Sequence, residues 1–502
     1  MKQVSLSKFA FEGSLMNYLG SFLSSLLSFL ILRLLIHELS VETFGLYSLV
    51  VATFIFFALA LNWGIPYLIT RFVSEYVERN QWGKIKTLLL HSYGILLLGF
   101  VPLAAAGYPL FARLDGWLHR PDLLSYVPFI FLLSLLRVNL QVSENVLNAF
   151  LLRNYVVGCG TVLLSLRLFL FYEILHRSKS LFLLLAVWSA TEAVLLAAYL
   201  IRICFLLAGK KDPPASSAQL EKGLFAFGLS GYLNNFLYFL LDTRIDLYVI
   251  GHFLSQAMVG WYAFASQMTN ILYSFSPATV LKSVITPLFA RQYARTNSLE
   301  EQKFLFRINC KFQAFVLFPV FAISAVLMPS VITLVFRRDY LVSLSPFWIL
   351  SGLGLVEVVG GPLATFIWII KRPDIFLKAS GVASVFWIVA SWVLTQRWGM
   401  VGAAIASGSS LILTFLLQCL LLRRVIRVEI PWESLATIGL HASLAGTSVF
   451  ILKRTVSSLG LVLFWGILGL GIFLCFSFWK KAFDHDERDL LKHAFPIGIW
   501  VF

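Results

Sequence analysis

One polar stripe inside an apolar segment carries the clearest chemical signal in this sequence. At helical spacing, the stripe consists of Arg137, Gln141, Glu144, Asn145 and Asn148, which share one face of a helix. Arginine offers planar, bidentate donors to an anion such as phosphate and stays charged at any physiological pH. The stripe therefore predicts either the wall of a polar cavity that binds an anion and hydroxyl groups, or a polar seam between helices.

Other charged residues lie in equally apolar surroundings, where a charge needs a cavity or a partner. Asp242, Arg244 and Asp246 stand within five residues, and four-residue spacing puts the two acids on one face with the arginine elsewhere. This cluster is either a wet site or a local pair with a snorkelling arginine. Arg33, one turn before His37, would line the outer half of a cavity or reach the lipid headgroups.

Four more charged residues lie within apolar runs. Lys282, between two prolines that would bend its helix, would line the inner half of a cavity or snorkel inward. Arg167 and Glu192 lie in consecutive apolar runs and are expected to pair with each other. Glu357 precedes a Gly-Gly-Pro break, and an isolated acid in a broken span is a candidate for binding a coupling proton or sodium ion.

The composition is that of a membrane protein. Of 502 residues, 59% are hydrophobic and 13% are charged, against about 25% charged in soluble domains. Apolar runs near the roughly 20 residues that cross a bilayer recur along the whole chain. We predict an all-α integral membrane protein with about fourteen transmembrane helices. Their approximate limits are 14–36, 43–68, 87–111, 124–150, 154–176, 181–206, 223–251, 257–287, 307–336, 341–370, 375–396, 400–422, 434–452 and 458–479.

The distribution of cations orients these spans. With a cytoplasmic N-terminus, the inside segments, together with the cytoplasmic ends of the adjoining spans, hold 26 of the 40 Lys and Arg residues, the outside loops hold 9, and 5 lie deeper within spans. This bias obeys the positive-inside rule, so we predict a multi-pass protein of the cytoplasmic (inner) membrane with both termini cytoplasmic. The net charge of +15 then reflects topology and anionic headgroups, and it requires no nucleic-acid partner.

A short phrase occurs twice in the chain. HELSVETFGLY begins at His37, and HFLSQAMVGWY begins at His252, 215 positions later. The two phrases share His, Leu, Ser, Gly and Tyr at the same spacings, and each follows an apolar run. Spans 1–6 and 7–12 are therefore predicted to be two copies of a six-helix lobe, arranged as parallel repeats because six is even. The shared residues are interpreted as turn and interface residues.

This duplication predicts the domain organisation. A Pro- and Ser-containing stretch, AGKKDPPASSAQLEK, separates the two copies and is typical of a linker. The predicted segments are an N-terminal six-helix lobe (1–207), a cytoplasmic linker (208–222), a C-terminal six-helix lobe (223–427), helices 13 and 14 (428–480) and a cytoplasmic tail (481–502). Two lobes on a flexible linker can rock about a central cavity, as in alternating-access transporters.

Three longer phrases carry a resemblance to a known family. They are FGLYSLV (44–50), GIPYLITRFVSEY (64–76) and RIDLYVIGHFLSQAMVGWYAFA (244–265). With them the chain resembles, over nearly its whole length, the polysaccharide-transport branch of the multidrug/oligosaccharidyl-lipid/polysaccharide exporter superfamily, the O-antigen and capsule repeat-unit flippases. The resemblance implies a flippase, not an enzyme, that moves an undecaprenyl-pyrophosphate-linked oligosaccharide to the outer leaflet for cell-surface polysaccharide assembly.

The polar residues within the spans are assigned two roles on this basis. The predicted substrate-binding residues are Arg137, Gln141, Glu144, Asn145, Asn148, Arg33, Arg244 and Lys282. The predicted ion-coupling residues are Asp242, Asp246 and Glu357. No cofactor or metal is expected beyond possible coupling to H⁺ or Na⁺. The expected partners are the lipid-linked glycan, membrane lipids and other polysaccharide-assembly proteins, and two lobes in one chain suffice for a monomer.

Three alternatives stay open. An ion-coupled multidrug exporter would need an acidic or aromatic cavity, which Asp242 and Glu357 allow and Arg137 disfavours. A lipid II flippase differs only in its load. A membrane glycan polymerase or ligase is disfavoured, because the predicted outside loops are short and no HExxH, Walker A, GxSxG or CxxC motif occurs. The one DxD, Asp484 and Asp486, lies in the tail, where a solvated amphipathic segment explains it.

Overall fold

The structure is a computed structural model that describes residues 20, 22–118, 122–210, 224–274, 299–370, 372–453, 456–485 and 487–488. These residues form helices, helical turns and short connections, with no strand among them. They divide into two compact units, Met1–Gly260 and Trp261–Phe502. The chain is an all-α integral membrane protein, as the apolar runs predict.

The described residues of the first unit form ten helices. They are α1 (22–38), α2 (Val41–Leu61), α3 (Ile65–Leu68), α4 (Ser74–Glu78), α5 (Trp82–Trp117), α6 (Val127–Ala149), α7 (Arg153–Arg177), α8 (Leu181–Leu207), α9 (Leu224–Phe239) and α10 (Thr243–Phe253). A π-helical turn, Ile69–Val73, joins α3 to α4. Helix α6 is central to this unit, because it packs against both α2 and α8.

The other helices begin with α11 (Gln256–Ser274), whose first residues still belong to the first unit. They continue as α12 (Leu299–Val335), α13 (Leu344–Gly354), α14 (Glu357–Ile369), α15 (Pro373–Arg423), α16 (Trp432–Leu452) and α17 (Leu459–Trp479). The core of the second unit joins α12 to α14, α15, α16 and α17.

Within the described ranges, nine helices are long and apolar enough to cross a membrane, and the bent pair of α13 and α14 would make ten. The predicted count of fourteen is therefore not confirmed. Of the predicted spans, 14–36 and 257–287 run partly through residues outside the described ranges, and 223–251 is divided between α9 and α10. Helix α15 covers two predicted spans, 375–396 and 400–422.

Helix α15 folds back on itself at one glycine. Gly399 has φ 59° and ψ −138°, a backbone conformation that residues with a Cβ atom rarely adopt. Trp387 Nε1 donates a hydrogen bond of 3.0 Å to Ser407 Oγ, although twenty residues of straight helix would separate them by ~30 Å. The 51 residues of α15 are therefore a helical hairpin with a turn at Gly399.

The two copies of the repeated phrase form the same turn. After His37 the helix ends, Leu39 and Ser40 connect, and α2 starts; after His252 the helix ends, and two residues lead into α11. The equivalent glycines lie against each other's helices: a Cβ on Gly45 would stand 2.5 Å from the Gln256 carbonyl oxygen, and one on Gly260 2.3 Å from the carbonyl oxygen of Val41. Glycine is needed at both positions because the backbones touch.

The helix predicted over 43–68 is broken, and polar side chains satisfy the break. Asn62, Trp63 and Gly64 separate α2 from α3, and the latter two have φ of 49° and 77°. Asn62 Oδ1 accepts a hydrogen bond from the Gly64 amide at 3.1 Å. A Cβ on Gly228 of α9 would approach Leu68 to 2.9 Å and the Gly64 carbonyl oxygen to 3.2 Å, so α9 packs closely on this break.

The span predicted over 223–251 is also broken, which corrects the predicted geometry of its charges. Helix α9 ends at Phe239 and α10 begins at Thr243. Asp242 is the N-cap of α10, with extended backbone, and its Oδ1 accepts from the Arg244 amide at 2.9 Å. Since Asp242 precedes the helix, it does not stand one turn below Asp246 on a continuous helical face as the spacing suggested.

Candidate functional site

A cavity of about 400 Å³ lies among the helices of the first unit. Its lining comes from α2, α6, α8, α9 and α10, and from the break that follows α2. The lining residues are Val51, Phe54, Ile55, Ala58, Leu59, Asn62, Leu133, Arg137, Gln141, Trp188, Glu192, Asn235, Phe239 and Arg244. The structure thus brings together two predicted substrate-binding arginines that are far apart in the sequence. The volume is within the ~300–1,000 Å³ range of small-molecule sites.

Arg137 is the principal cation of this cavity. It is exposed on α6, while its neighbours Leu136 and Val138 are buried. In the part of the chain that the structure describes, no carboxylate lies within ion-pair distance of its guanidinium. Glu144, further along the same helix, interacts with it only at longer range. The charge of Arg137 is therefore available to a ligand in the cavity.

Arg244 is aimed at the same cavity by the broken helix. It is the second residue of α10, directly after the cap Asp242, and its Nε lies 3.5 Å from Asp242 Oδ1. This pair is loose and partly solvated, with the Arg244 side chain 38% exposed. Exposed pairs of this kind contribute little free energy, about 0–1 kcal/mol, so a phosphate could replace the carboxylate as the partner of Arg244.

Glu192 also lines the cavity, but an ion pair with Arg167 compensates its charge. Arg167 donates to Glu192 Oε1 at 2.7 Å and to the Thr191 hydroxyl at 2.9 Å. Trp188 Nε1 donates to the same Glu192 oxygen at 3.0 Å, and the Arg167 guanidinium lies 5.4 Å from the Trp188 ring centroid. The predicted Arg167–Glu192 pair is confirmed. With it neutralised, the cavity keeps a positive charge.

The rest of the α6 stripe divides between cavity and seam. Gln141 lines the cavity and its Oε1 accepts a hydrogen bond of 3.4 Å from Asn62 Nδ2. Asn145 donates instead to the Pro66 carbonyl at 3.1 Å, which satisfies backbone at the break. Glu144 and Asn148 are half-buried and are absent from the cavity lining. Both interpretations of the stripe therefore describe part of it.

Arg33 lies apart from the other predicted substrate-binding residues. It lines a separate groove of about 590 Å³ between α1 and α7. The groove also includes His37, Ser165 and the exposed aromatic residues Phe169 and Tyr172. The structure therefore does not place Arg33 in the cavity that holds Arg137.

The remaining predicted residues are distributed as follows. Lys282 lies outside the described residues. Asp246 is completely buried in α10. Glu357 is the first residue of α14, directly after the bend that separates it from α13. A Cβ on Gly361 would stand within 4.0 Å of Oε2 of Glu357 and 3.6 Å from Oε1 of Gln313, so two polar groups converge at this bend in the second unit.

Three cavity residues were missed in the sequence. Asn62 belongs to a helix break that the apolar run 43–68 conceals. Asn235 lies in an Asn-Asn pair within a predicted span, a polar signal that could have been used. Trp188 presented no signal among many aromatic residues. Together the arginines, amides and indole offer charged and neutral hydrogen-bond donors and a flat apolar surface, which suit an anion with attached hydroxyl groups. Among the described residues, no group of three or more His, Cys, Asp or Glu side chains could hold a metal ion.

Comparison with protein families gives a match over more than half of the chain. Residues 10–293 match the family described as "Polysaccharide biosynthesis protein". Two relatives are similar over nearly the whole chain, each at 22% identity: an uncharacterized membrane protein of Methanocaldococcus jannaschii (96% of this chain, 98% of the relative) and the probable low-salt glycan biosynthesis flippase Agl15 of Haloferax volcanii (91% and 94%).

Comparison with solved structures shows a shared fold. The lipid II flippase MurJ in an inward closed conformation matches with a TM-score of 0.69 and 13% identity, over 96% of this chain and 100% of MurJ. An inward-facing multidrug resistance MATE transporter of the MOP superfamily matches with a TM-score of 0.63 and 14% identity, over 80% and 96%. At such low identity the likeness concerns the fold alone.

Proposed function

The chain belongs to the polysaccharide biosynthesis protein family and shares its fold with MurJ and a MATE transporter, and we propose that it is a flippase for a lipid-linked oligosaccharide. It would move an undecaprenyl-pyrophosphate-linked glycan from the cytoplasmic to the outer leaflet by alternating access. Its contribution is binding and reorientation of the load, with no covalent step.

The observation that carries this proposal is the cationic cavity. A pyrophosphate group must cross a medium in which an uncompensated charge is costly. Arg137 and Arg244 line one cavity, and guanidinium groups can donate two parallel hydrogen bonds to phosphate oxygens. They would replace the water that the pyrophosphate loses. A cation-selective drug exporter would need the opposite charge at this place.

The polar lining suits the sugar part of the load. Gln141, Asn62 and Asn235 offer amide donors and acceptors to hydroxyl groups, and the Trp188 ring adds a flat apolar surface. A cavity of about 400 Å³ suits the pyrophosphate and the adjoining sugar. The isoprenoid chain would remain in the bilayer, where it costs no desolvation.

We place the protein in the cytoplasmic membrane with both termini cytoplasmic, on the basis of the 26 to 9 distribution of cations between inside and outside segments. Two six-helix lobes in one chain make a monomer sufficient.

The groove with Arg33 would contact the headgroup or the lipid part of the load. Glu144, Asn148 and Lys282 would contact the load outside the cavity that Arg137 lines.

Ion coupling would reside at the bend before α14. Glu357 begins a helix after a break, beside Gln313, and acids in broken spans bind coupling ions in transporters. Asp242 and Asp246 are the other candidates in the first unit, although the contacts of Asp242 are those of a helix cap and a local ion pair.

The function can be tested in proteoliposomes that carry a fluorescent undecaprenyl-pyrophosphate oligosaccharide, with leaflet exposure read by a membrane-impermeant quencher. We expect the wild-type protein to accelerate exposure on the opposite leaflet, under an imposed pH or Na⁺ gradient if coupling operates. Fluorescent undecaprenyl phosphate without sugar should move more slowly, because it lacks one phosphate and the glycan.

Matched loads separate the alternatives. Lipid II moved in preference to the oligosaccharide would assign the protein the load for which the lipid II flippase MurJ is named. Efflux of a cationic dye without movement of the pyrophosphate lipid would overturn the proposal in favour of a multidrug exporter.

A further inference from the structure

The C-terminal tail is tied to α12 by a buried ion pair. Lys311, in the N-terminal half of α12, is only 3% exposed, and its Nζ lies 2.7 Å from Glu487 Oε2. Glu487 is itself 2% exposed. A second carboxylate of the tail, Asp484, lies 3.4 Å from the same ammonium and is 81% exposed. The sequence interpretation of this tail as a solvated amphipathic segment is therefore corrected for Glu487.

The tail turn is built to present Glu487. The Asp484 amide donates to Glu487 Oε2 at 3.0 Å, and the Arg488 amide donates to the Asp484 carbonyl at 3.0 Å. A side chain that reaches back to an amide three residues earlier is the arrangement of a capping box, which starts a helix. The same carboxylate oxygen thus closes the turn and accepts from Lys311.

Apolar packing fastens the same segment. Phe483 is 3% exposed and belongs to the core of the second unit. Its ring lies 6.0 Å from that of Phe315, one turn beyond Lys311 on α12, and Phe315 also packs on Phe473 of α17 at 5.0 Å. The tail therefore joins the N-terminal half of α12 to the end of α17.

Helix α12 has a natural pivot next to this contact. Pro319 lies inside the helix and removes one backbone hydrogen bond, which weakens the helix there. Farther along α12, Pro329 has no amide hydrogen to donate to the Ala325 carbonyl, which accepts instead from Trp348 Nε1 at 3.1 Å. The Val326 carbonyl accepts from Lys453 at 2.6 Å. The C-terminal half of α12 is thus fixed by α13 and by the residue after α16.

We propose that the described tail residues, 483–485 and 487–488, form a releasable latch that holds the part of α12 before Pro319 against α17. The ion pair between Lys311 and Glu487 is of a kind that allows the tail to be released. A buried ion pair adds little net stability compared with an apolar pair, yet removal of one partner strands the other charge. Lys311 has a flexible four-carbon stem and can snorkel to lipid headgroups once the tail leaves, so both states are accessible.

Hydrogen–deuterium exchange of the full chain in nanodiscs tests the latch. In Glu487→Gln we expect amides of 299–318 to exchange about tenfold or more faster, since the stranded Lys311 charge favours the open state, while amides of 320–335 stay as in wild type. The variant Lys311→Met/Glu487→Met removes both charges and should restore protection. Glu300→Gln is the matched control, because Glu300 pairs with Lys303 on the same helix and is 81% exposed.

Three outcomes would overturn the proposal. One is unchanged exchange of 299–318 in both Glu487→Gln and a chain that ends at Ala482. Another is an equal rise in both halves of α12, which would mean general loosening. The third is exchange in the double variant as fast as in Glu487→Gln, which would show that charge compensation is not what fastens the tail.

Discussion

Arg137 and Asn145 lie two turns apart on one face of α6, yet they do different work. Periodicity alone placed them on a common face, and the structure agrees. What periodicity could not reveal is which part of the face meets a cavity and which part meets backbone. That depends on the break at Asn62–Gly64, after which α3 brings its Pro66 carbonyl within hydrogen-bond distance of the Asn145 amide. A residue's role was therefore predictable only where its own helix determined it.

Arg167 and Glu192 illustrate the favourable case. Two opposite charges in the middle of consecutive apolar segments have few alternatives to each other, and the sequence was enough to pair them. The structure adds Trp188 and Thr191 to the network. The four-residue spacing of Trp188 and Glu192 on α8 could have indicated the first of these contacts, whereas the bond from Arg167 to Thr191 required the structure. The structure also shows that the Arg167–Glu192 pair removes the negative charge of Glu192 from the cavity.

The pair gives a prediction about stability. Arg167→Met leaves Glu192 charged and half-enclosed, with side chains 11% and 13% exposed in the wild type, so we expect a loss of about 3–5 kcal/mol. Arg167→Met/Glu192→Met should recover most of it. Thermal unfolding in detergent measures both, with Arg177→Met, whose pair with Glu173 is 79% exposed on the arginine side, as control. Equal loss in the single and double variants would contradict the pairing.

Helix ends and breaks set the limit of prediction at the scale of elements. The apolar runs located most of the long helices of both units, with ends that differ by up to eight residues, because burial in lipid demands long helices. The interruptions at Gly64, Asp242 and Val356 lie inside runs that stay apolar on average. The sequence indicated only the third of them, as a break at the Gly-Gly-Pro after Glu357, whereas the interruption lies just before Glu357 and α14 continues through that motif. Hydropathy cannot detect these interruptions, and they are the places that orient Arg244 and Glu357.

The repeated phrase was interpreted correctly as a turn, and the structure explains its glycines. Gly45 and Gly260 occupy equivalent positions, and each leaves room for the backbone at the start of the other's helix. Sequence spacing identified the equivalence. Only the structure shows that the two copies of the phrase contact each other at this point. The glycine is therefore repeated at the same spacing because the helices pack closely there.

A methyl group at this crossing should be costly. In Gly260→Ala the new Cβ would stand 2.3 Å from the Val41 carbonyl oxygen, and backbone cannot move aside as a flexible side chain can. We expect a loss of about 1–3 kcal/mol, seen as a lower unfolding temperature. Gly158→Ala is the control, because nothing lies within 4 Å of its added Cβ. Equal unfolding temperatures for the two variants would show that the crossing tolerates a side chain.

At the scale of the whole molecule, composition predicted the class of protein, and the resemblance of three phrases to a known family indicated the family. The compact units, however, divide at Gly260, whereas the repeat divides at the linker 208–222. The difference arises because α9 and α10 pack on α3 and α2, so the contacts group these helices with the first unit. The repeat boundary remains a prediction, and the cavity draws on helices from both sides of it.

The most direct measurement is translocation of the fluorescent undecaprenyl-pyrophosphate oligosaccharide by cavity variants. Loss of charge-assisted hydrogen bonds worth about 1.5–3 kcal/mol each should weaken substrate affinity roughly ten- to a hundredfold in Arg137→Gln or Arg244→Gln. Arg177→Gln, at the exposed end of α7, should translocate as wild type does. Wild-type affinity and rate in both cavity variants, with the wild-type protein active, would contradict a pyrophosphate site in this cavity.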